Sequence, residues 1–334
     1  MLFRSRLNGG TLQAQPAGSG LTVNLALANG AAGHTVAYGA GPSALGLSKM
    51  SDASVTLTLG NSGAAAESVL ARADSGVLAV IPASGTAALG STEKVIVNGG
   101  VATADGRIPA LFGVHNDDRR SCDFLTYDAV NGIKVASYTE GLEGGASAIA
   151  NVVTNSTVSS KQVGSLRIHN GAVLTVNGGQ TLTVGDGVNP AGVIINNSSS
   201  TTAGLTGGTL DFGASEGIVL FNLRRSNQFA QPINSVIAGL NGVTFAGGGS
   251  DQDLYLGSSG NTYTGPTRIM NGCVSTANAL NFSSGDVFVY GNEGGGGQFK
   301  VGFAGTMTNA FHLAGVGGTP SGTPGGAIRF DANG

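Results

Sequence analysis

Charged residues are scarce in this sequence: they make up 10% of its 334 residues, against roughly 25% in a typical globular domain. The formal net charge is −3 and no basic stripe is visible, so the chain offers no electrostatic basis for binding nucleic acid. Apolar runs are also short, far below the ~18 residues that a membrane-spanning helix needs. We therefore expect neither nucleic-acid binding nor direct membrane insertion by this segment.

Tryptophan is absent, and the chain has only two cysteines, Cys122 and Cys273, which lie far apart in the sequence. Neither belongs to a cluster with metal-ligand spacing, so we interpret both as incidental thiols. Disorder is also disfavoured, because the hydrophobic fraction is 41% and the net charge is low. The composition therefore indicates a folded chain without a metal site or a disulfide framework.

Glycine is abundant, with 58 residues, and Asn-Gly or Asp-Gly dipeptides punctuate the whole chain. Between them lie short segments in which apolar residues alternate. Val55, Leu57 and Leu59 share one face of such a segment, and two threonines take the other. A period of two is typical of strands with one buried face. The alternation recurs at 172–176, 181–184, 210–212, 243–245 and 254–256, so we predict an all-β chain with very little helix.

The stretch 260–289 is the most specific part of the sequence. It reads Gly-Asn-Thr-Tyr-Thr-Gly-Pro-Thr at 260–267, and then Arg-Ile-Met-Asn-Gly-Cys-Val at 268–274. Asn-Ala-Leu follows at 278–280, and Gly-Asp-Val at 285–287. The stretch resembles the autotransporter-associated β-strand repeat, which occurs in the passenger regions of very large bacterial surface proteins. The resemblance implies a secreted, mostly right-handed β-helical architecture.

The residues of this stretch also predict local structure directly. Thr262–Thr264 favours an extended chain, and Gly265-Pro266 breaks it with a turn. We expect a new strand over 267–270, which Asn271-Gly272 ends because both residues tolerate left-handed backbone angles. The next strand is predicted at Val287–Tyr290.

The region 109–139 departs from this pattern, because it contains the densest charge cluster, Asp117-Asp118-Arg119-Arg120. The segment 123–132 has the pattern Asp-Phe-x-Thr-Tyr-Asp-x-x-x-Gly and is similar to one that recurs in the same surface proteins. We predict an inserted loop or short β-arm over 109–139. Both resemblances together cover roughly residues 70–310.

Two folds are compatible with strands that are separated by Asn-Gly. A two-residue Asn-Gly turn normally predicts a hairpin, so an antiparallel β-sandwich is the alternative. We favour a single right-handed parallel β-solenoid over 1–334, because strand-and-corner units recur without a change in composition and the resemblance implies it. A period of about 20 residues per turn would give on the order of 16 turns.

Both ends of the sequence suggest a fragment of a longer protein. No apolar signal-peptide core follows Met1, and the C-terminal end lies just after the strand-like residues 327–330. We interpret the chain as an incomplete open reading frame, so that an N-terminal signal and a C-terminal outer-membrane barrel would belong to the missing parts of the polypeptide. The expected location is extracellular, at the bacterial cell surface.

Catalytic motifs are sparse. Parallel β-helices also occur in glycosidases and lyases, which need clustered carboxylates. The candidates are the loop acids Asp117, Asp118 and Asp123, with the pair Asp251 and Asp253, and we interpret all five as solvated or ion-paired surface acids. The run 247–254 superficially resembles a calcium-binding nonapeptide but occurs once and has Asp251 where the pattern needs Gly. We predict no catalytic, cofactor-binding or metal-binding residues.

The sequence thus favours a structural and adhesive passenger segment that binds surface glycans or proteins through an extended surface and is not an enzyme. A β-helical polysaccharide-binding or polysaccharide-degrading protein is the alternative. A non-adhesive spacer of a larger exoprotein is a third reading. A carboxylate pair in a groove would favour the second, and an exposed apolar or tyrosine-rich stripe would favour the first.

Overall fold

The computed structural model describes residues 4–7, 11–15, 23–27, 35–49, 54–114, 122–169, 171–196, 203–222, 232–248, 252–276, 278, 282–292, 295–315, 317 and 326–330. The chain is 54% strand and 2% helical, which confirms the prediction of an all-β protein. It divides into two compact units, Met1–Ala136 and Ser137–Gly334.

The described strands of the first unit are short and follow one another closely. A single turn of 3-10 helix, Thr86–Ala88, lies between the eighth and ninth. In chain order the strands are β1 (Arg4–Leu7), β2 (Thr11–Ala14), β3 (Val23–Leu27), β4 (Thr35–Tyr38), β5 (Pro42–Leu47), β6 (Val55–Leu59), β7 (Leu70–Arg72), β8 (Val77–Pro82), β9 (Glu93–Val97), β10 (Leu111–Val114), β11 (Cys122–Asp128) and β12 (Gly132–Val135).

From β1 to β9, strands of the first unit pair in parallel with the strand three positions later, and β8 then pairs with β10. One sheet has the order β1-β4-β7, another contains β2-β5-β8-β10, and the third has the order β3-β6-β9. Three consecutive strands therefore enter three different sheets. Paired residues lie 31 to 38 positions apart, so the predicted period of about 20 is wrong for this unit. The connections between the strands of each repeat are therefore longer than predicted.

The core of the first unit follows the alternation seen in the sequence. Val55, Leu57 and Leu59 are fully buried in β6, and Val95 and Val97 lie beside Leu57 and Leu59 in β9. Like residues stack on like residues because parallel in-register pairing puts equivalent positions next to each other. The predicted buried face of β6 is therefore confirmed.

The region 109–139 contains the antiparallel part of the first unit. β10 continues the parallel sheet, whereas β11 pairs antiparallel with β10 and β12 with β11. Leu125 and Ile133 are fully buried in the core, and the Tyr127 hydroxyl donates to the Val97 carbonyl at 2.7 Å. The described part of this arm thus packs onto the unit and does not project from it. The charged cluster at 117–120 lies outside the described residues.

The second unit has a similar succession of short strands, with one turn of 3-10 helix at Gly145–Ser147. Its described strands are β13 (Thr139–Glu140), β14 (Ile149–Val152), β15 (Ser156–Val158), β16 (Lys161–Val163), β17 (Ser165–Ile168), β18 (Val173–Val176), β19 (Thr181–Val184), β20 (Ala191–Asn196), β21 (Gly204–Thr206), β22 (Thr209–Asp211), β23 (Gly217–Asn222), β24 (Pro232–Ile233), β25 (Val236–Ala238), β26 (Val243–Gly247), β27 (Asp253–Leu256), β28 (Thr267–Thr276), β29 (Val287–Asn292), β30 (Gly295–Val301), β31 (Phe311–Ala314) and β32 (Ile328–Phe330).

Consecutive strands of the second unit again go to different parallel arrays. The first array runs β14-β17-β20-β23-β26-β28-β29-β31, the second runs β15-β18-β21-β24-β27-β28-β30-β32, and the third runs β16-β19-β22-β25. From β14 onwards, paired residues lie 16 to 31 positions apart. The mostly parallel pairing contradicts the antiparallel sandwich. Asn177-Gly178, for example, lies between β18 and β19, which belong to different arrays, and so forms a corner and not a hairpin.

β28 joins the first two arrays. Thr267–Ile269 pairs with β26 in the first array, and Cys273–Thr276 pairs with β27 in the second. The prediction that Asn271-Gly272 ends the strand is therefore wrong: the strand bends there and continues. Gly272 has a φ of +70°, and a Cβ at this position would lie 2.9 Å from the Phe221 ring, so both backbone angle and space require glycine.

The segment 260–266 forms a corner with irregular backbone. Thr262–Thr264 is not a strand, which corrects the prediction, although the backbone N–H groups of all three residues donate to the carbonyls of Ile237 and Gly239. The Tyr263 side chain points into the core and its hydroxyl lies 2.6 Å from the Thr267 Oγ1 atom. This buried anchor holds the chain in place without a regular ladder. Gly265 has a φ of +80°, and β28 begins directly after Pro266.

Candidate functional site

The acids singled out from the sequence do not form a described catalytic pair. Asp117, Asp118 and Asp251 lie outside the described residues. Asp123 is buried in the first unit, where its carboxylate accepts a hydrogen bond from the Thr86 hydroxyl at 2.5 Å. The interpretation of Asp123 as a solvated acid is therefore wrong, because its side chain ties β11 to the neighbouring 3-10 turn.

Asp253 is also buried, on the second array of the second unit. Its Oδ1 atom accepts a hydrogen bond from the Ser275 hydroxyl at 2.9 Å, and its Oδ2 atom lies 3.8 Å from the Lys300 Nζ atom. The side chains of Asp253 and Lys300 are 0% and 4% exposed. The expectation of a solvated loop acid is wrong here too. A buried, paired carboxylate supports the packing of β27, β28 and β30 and is not accessible to a polysaccharide.

A different group of side chains forms a partly exposed surface on the first array. Thr244, Arg268, Phe288 and His312 occupy equivalent positions on β26, β28, β29 and β31, because each is paired with the next in parallel register. Thr244 is buried at one end of this row and His312 is exposed at the other. Neighbouring strands lie about 4.8 Å apart, which is close to the stacking distance of flat side chains. The Phe288 and His312 rings stack with their centroids 4.4 Å apart and their planes 11° apart.

Cationic and anionic groups flank these rings. The Arg268 guanidinium lies 5.8 Å from the Phe288 ring centroid, within range of a cation–π interaction. Glu216 accepts a hydrogen bond from the Thr244 hydroxyl at 2.7 Å and lies 3.9 Å from Arg268. At the other end, an Asp286 oxygen is 2.9 Å from the Nε2 atom of His312. Each of these charged groups thus has a hydrogen-bond, ion-pair or cation–π partner, and none of them is fully buried.

Tyr290 completes the surface. It lies two residues after Phe288 on the same face of β29, and the planes of the two rings are nearly parallel, with centroids 6.1 Å apart and planes 10° apart. Burial raises the pKa of the Tyr290 hydroxyl, although the charge of Arg268 and its hydrogen bond oppose this effect. The residue paired with Tyr290 on β31 is Ala314, which carries only a methyl group. We name the set Glu216, Arg268, Asp286, Phe288, Tyr290 and His312 the aromatic ladder.

A second pair with similar chemistry is formed by Arg167 on β17 of the same array and Tyr138, which directly precedes β13. The Arg167 guanidinium is 3.7 Å from the centroid of the Tyr138 ring, and its Nε atom donates to the Asn151 side chain at 2.9 Å. Asn151 donates in turn to Glu140 at 2.7 Å. This pair has a single aromatic ring and therefore offers a matched comparison for the aromatic ladder.

An apolar cavity of about 300 Å³ lies among the last strands of the second unit. Its lining is almost wholly apolar and includes no ionisable side chain, so it offers no acid or base for catalysis. The principal lining residues are Phe299, Val301, Phe303, Met307, Phe311, Ile328 and Phe330.

In the described ranges, no group of three or more His, Cys, Asp or Glu residues is arranged to hold a metal ion. In the same ranges, no helix is long and apolar enough to cross a membrane. Cys122 and Cys273 are both buried and are not joined in a disulfide. Gly295–Gly297 begins β30.

Comparison with protein-family models, curated proteins and solved structures finds no match to this chain. The candidate surface therefore rests on the geometry of the chain itself. Its members are separated by 24, 20 and 24 positions along Thr244, Arg268, Phe288 and His312, and nothing in the sequence aligns them. The strand register brings these residues together, and the sequence does not reveal that register.

Proposed function

We propose that this chain forms right-handed parallel β-helical structure in each unit. The observation that supports it is the parallel pairing of most strands with the strand three positions later, which recurs in both units. Successive strands that enter three sheets, with corners between them, are what a three-sided solenoid requires. Paired residues lie 16 to 38 positions apart along the chain. In this proposal the longer turns differ from the shorter ones in the length of their connections.

We further propose that the chain is a structural and adhesive segment of a secreted or surface-displayed bacterial protein of the autotransporter type. The resemblance of 260–289 to the autotransporter-associated repeat supports this class. A repeated backbone of this kind provides surface area and not a single enclosed site. Binding to surface glycans or proteins would then be weak at each contact and strengthened by multivalency.

Adhesion of the purified chain tests this function. Beads coated with residues 1–334 should bind to films of mucin, collagen or polysaccharide more strongly than beads coated with serum albumin. Dense coating should raise retention more than in proportion to the amount of protein, since linked contacts raise the effective concentration. Retention equal to that of albumin on every film would reject the adhesive function.

Polysaccharide degradation is the competing function. The burial and pairing of Asp253 disfavour it, since a glycosidase needs two accessible carboxylates at a defined separation. The aromatic ladder, in contrast, favours polysaccharide binding without cleavage. Release of new reducing ends or unsaturated products from pectin or alginate by the purified chain would overturn the non-enzymatic proposal.

A further inference from the structure

We propose that the aromatic ladder is a binding site for a neutral oligosaccharide. The inference rests on the proposed adhesive function and specifies its ligand class and its location. The proposal is supported by the partly exposed rings of Phe288, Tyr290 and His312 on β29 and β31. Groups that accept or donate hydrogen bonds lie on both sides of these rings.

The shape of the site follows from strand register. His312 covers one face of Phe288, whereas Ala314 stands opposite Tyr290. Because the methyl group of Ala314 covers less of a neighbouring ring than an imidazole does, we infer a notch over Ala314, beside the Tyr290 ring and His312. Tyr290 is partly exposed and the His312 side chain is 50% exposed. Both side chains can therefore contact a ligand, and each offers a flat ring.

The chemistry of the notch matches a sugar ring. One face of a pyranose carries mainly C–H groups and packs on an aromatic face, and its rim carries hydroxyl groups that both donate and accept. Asp286 provides acceptor oxygens beside the notch, and His312 and the Tyr290 hydroxyl provide further polar atoms. A few polar groups around an apolar platform are typical of small-ligand sites.

The balance of charge selects neutral sugars. The site has two carboxylates and one guanidinium: Glu216 lies 3.9 Å from Arg268, which is also hydrogen-bonded to Tyr290, and Asp286 lies 2.9 Å from His312. A uronate or sulfate group would approach this excess of carboxylate at a Coulombic cost. We therefore expect neutral polysaccharides to bind more tightly than anionic ones.

Affinity electrophoresis of the full chain tests the site. Native gels would contain a neutral polysaccharide (mixed-linkage β-glucan, xylan or galactomannan) or an anionic one (polygalacturonate or alginate). We expect at least one neutral polysaccharide to retard the wild type and Tyr290→Ala to weaken that binding about tenfold. Tyr290→Phe keeps the ring and loses only the hydroxyl, so it should weaken binding less than Tyr290→Ala does. Tyr138→Ala is the matched control and should bind as the wild type does.

The proposal is wrong if no neutral polysaccharide retards the wild type, or if the anionic polysaccharides retard it more strongly. It is also wrong if Tyr290→Ala binds as the wild type does, or if Tyr138→Ala weakens binding as much as Tyr290→Ala. Circular dichroism verifies that each variant is folded. If Tyr290→Ala does not fold, His312→Ala, a substitution at an exposed position, provides the second test. If beads carrying wild type and Tyr290→Ala adhere equally to the films, adhesion stands and this site fails. If neither adheres, the proposed function itself fails.

Discussion

Arg268 and Ile269 are adjacent in β28, but their side chains lie on opposite faces of the sheet. Ile269 is fully buried between Phe245 and Val289 in the core, whereas Arg268 lies beside Phe288 on the aromatic ladder. The alternation of a strand places a core residue and a surface residue side by side in the sequence. The fold and the candidate site are thus built from the same strand.

This relationship predicts very different effects of one new carboxylate. Ile269→Asp should destabilise the second unit by about 3–5 kcal/mol, because the charge would be buried without a partner. Arg268→Asp should cost about 1 kcal/mol, since it removes a partly exposed ion pair and adds a charge near Glu216. Urea denaturation followed by circular dichroism measures both. Equal tolerance would show that the register of β28 is misassigned.

The buried hydroxyl of Tyr263 should make the second unit sensitive to alkali. Burial raises its pKa to about 12, and the hydrogen bond with Thr267 partly opposes this rise. Because the folded pKa exceeds the unfolded value of about 10, its contribution to stability is complete below pH 10 and is lost as the pH rises towards 12.

Tyr263→Phe therefore has two expected effects. At neutral pH it should cost about 1 kcal/mol, because the Thr267 hydroxyl loses its partner. Above about pH 10 the variant should lose less stability than the wild type, since phenylalanine has no proton to release. Unfolding midpoints measured across this range test the idea, and parallel curves for the two proteins would contradict it.

Asp128 should control the turn between β11 and β12. Its Oδ1 atom accepts hydrogen bonds from the backbone N–H groups of Asn131 and Val130, and Lys134 donates to Oδ2 at 3.0 Å. These contacts, the Asn131 bond foremost, hold the pKa of Asp128 well below its usual range. Since the folded pKa is depressed, the stabilisation is present above about pH 4 and is lost as the pH falls further.

Hydrogen exchange in the 132–135 strand would measure this effect. Asp128→Asn should reduce protection there at neutral pH, and the difference from wild type should shrink once the pH falls below about 4. Lys134→Met removes only the side-chain partner and should have a smaller effect. A difference that persists unchanged in acid would mean that the carboxylate charge is not what organises the turn.

The positions and faces of many strands could be predicted from the sequence, but their partners could not. Alternation in Leu174, Val176, Leu182 and Val184 correctly identifies the buried faces of β18 and β19. Alternation carries no information about which strand lies alongside, because any register in steps of two preserves it. The parallel pairing over 16 to 38 positions therefore had to come from tertiary structure.

The same limit explains the candidate site. Phe288 and Tyr290 were recognisable as a predicted strand, yet their neighbours Arg268 and His312 are 20 and 24 positions away. The acids that looked catalytic were chosen for their spacing along the chain. Asp253 is instead buried against Lys300 on β30, which lies two strands away in the second array, and no local pattern predicts that pairing.

Glu93 is a buried acid whose role is specified by three backbone groups. It is fully buried at the start of β9, and its carboxylate accepts hydrogen bonds from the N–H groups of Ala83 and Ser84, both at 2.9 Å, and of Lys49 at 3.4 Å. Ala83 directly follows β8, and Lys49 lies just after β5. One carboxylate thus accepts hydrogen bonds from backbone N–H groups that follow the ends of two neighbouring strands.

Glu93→Ala should therefore destabilise the first unit by about 3 kcal/mol, because it leaves buried N–H groups without acceptors. Glu67→Ala is the matched control: Glu67 is exposed in the same unit, and its loss should change stability by no more than about 0.5 kcal/mol. Glu93→Gln retains one acceptor oxygen and should fall between the two. Amide exchange of β6 and β9 is the readout, since a chain with two units need not unfold in one step. Equal protection in Glu93→Ala and Glu67→Ala would show that these three hydrogen bonds do not hold the strand ends.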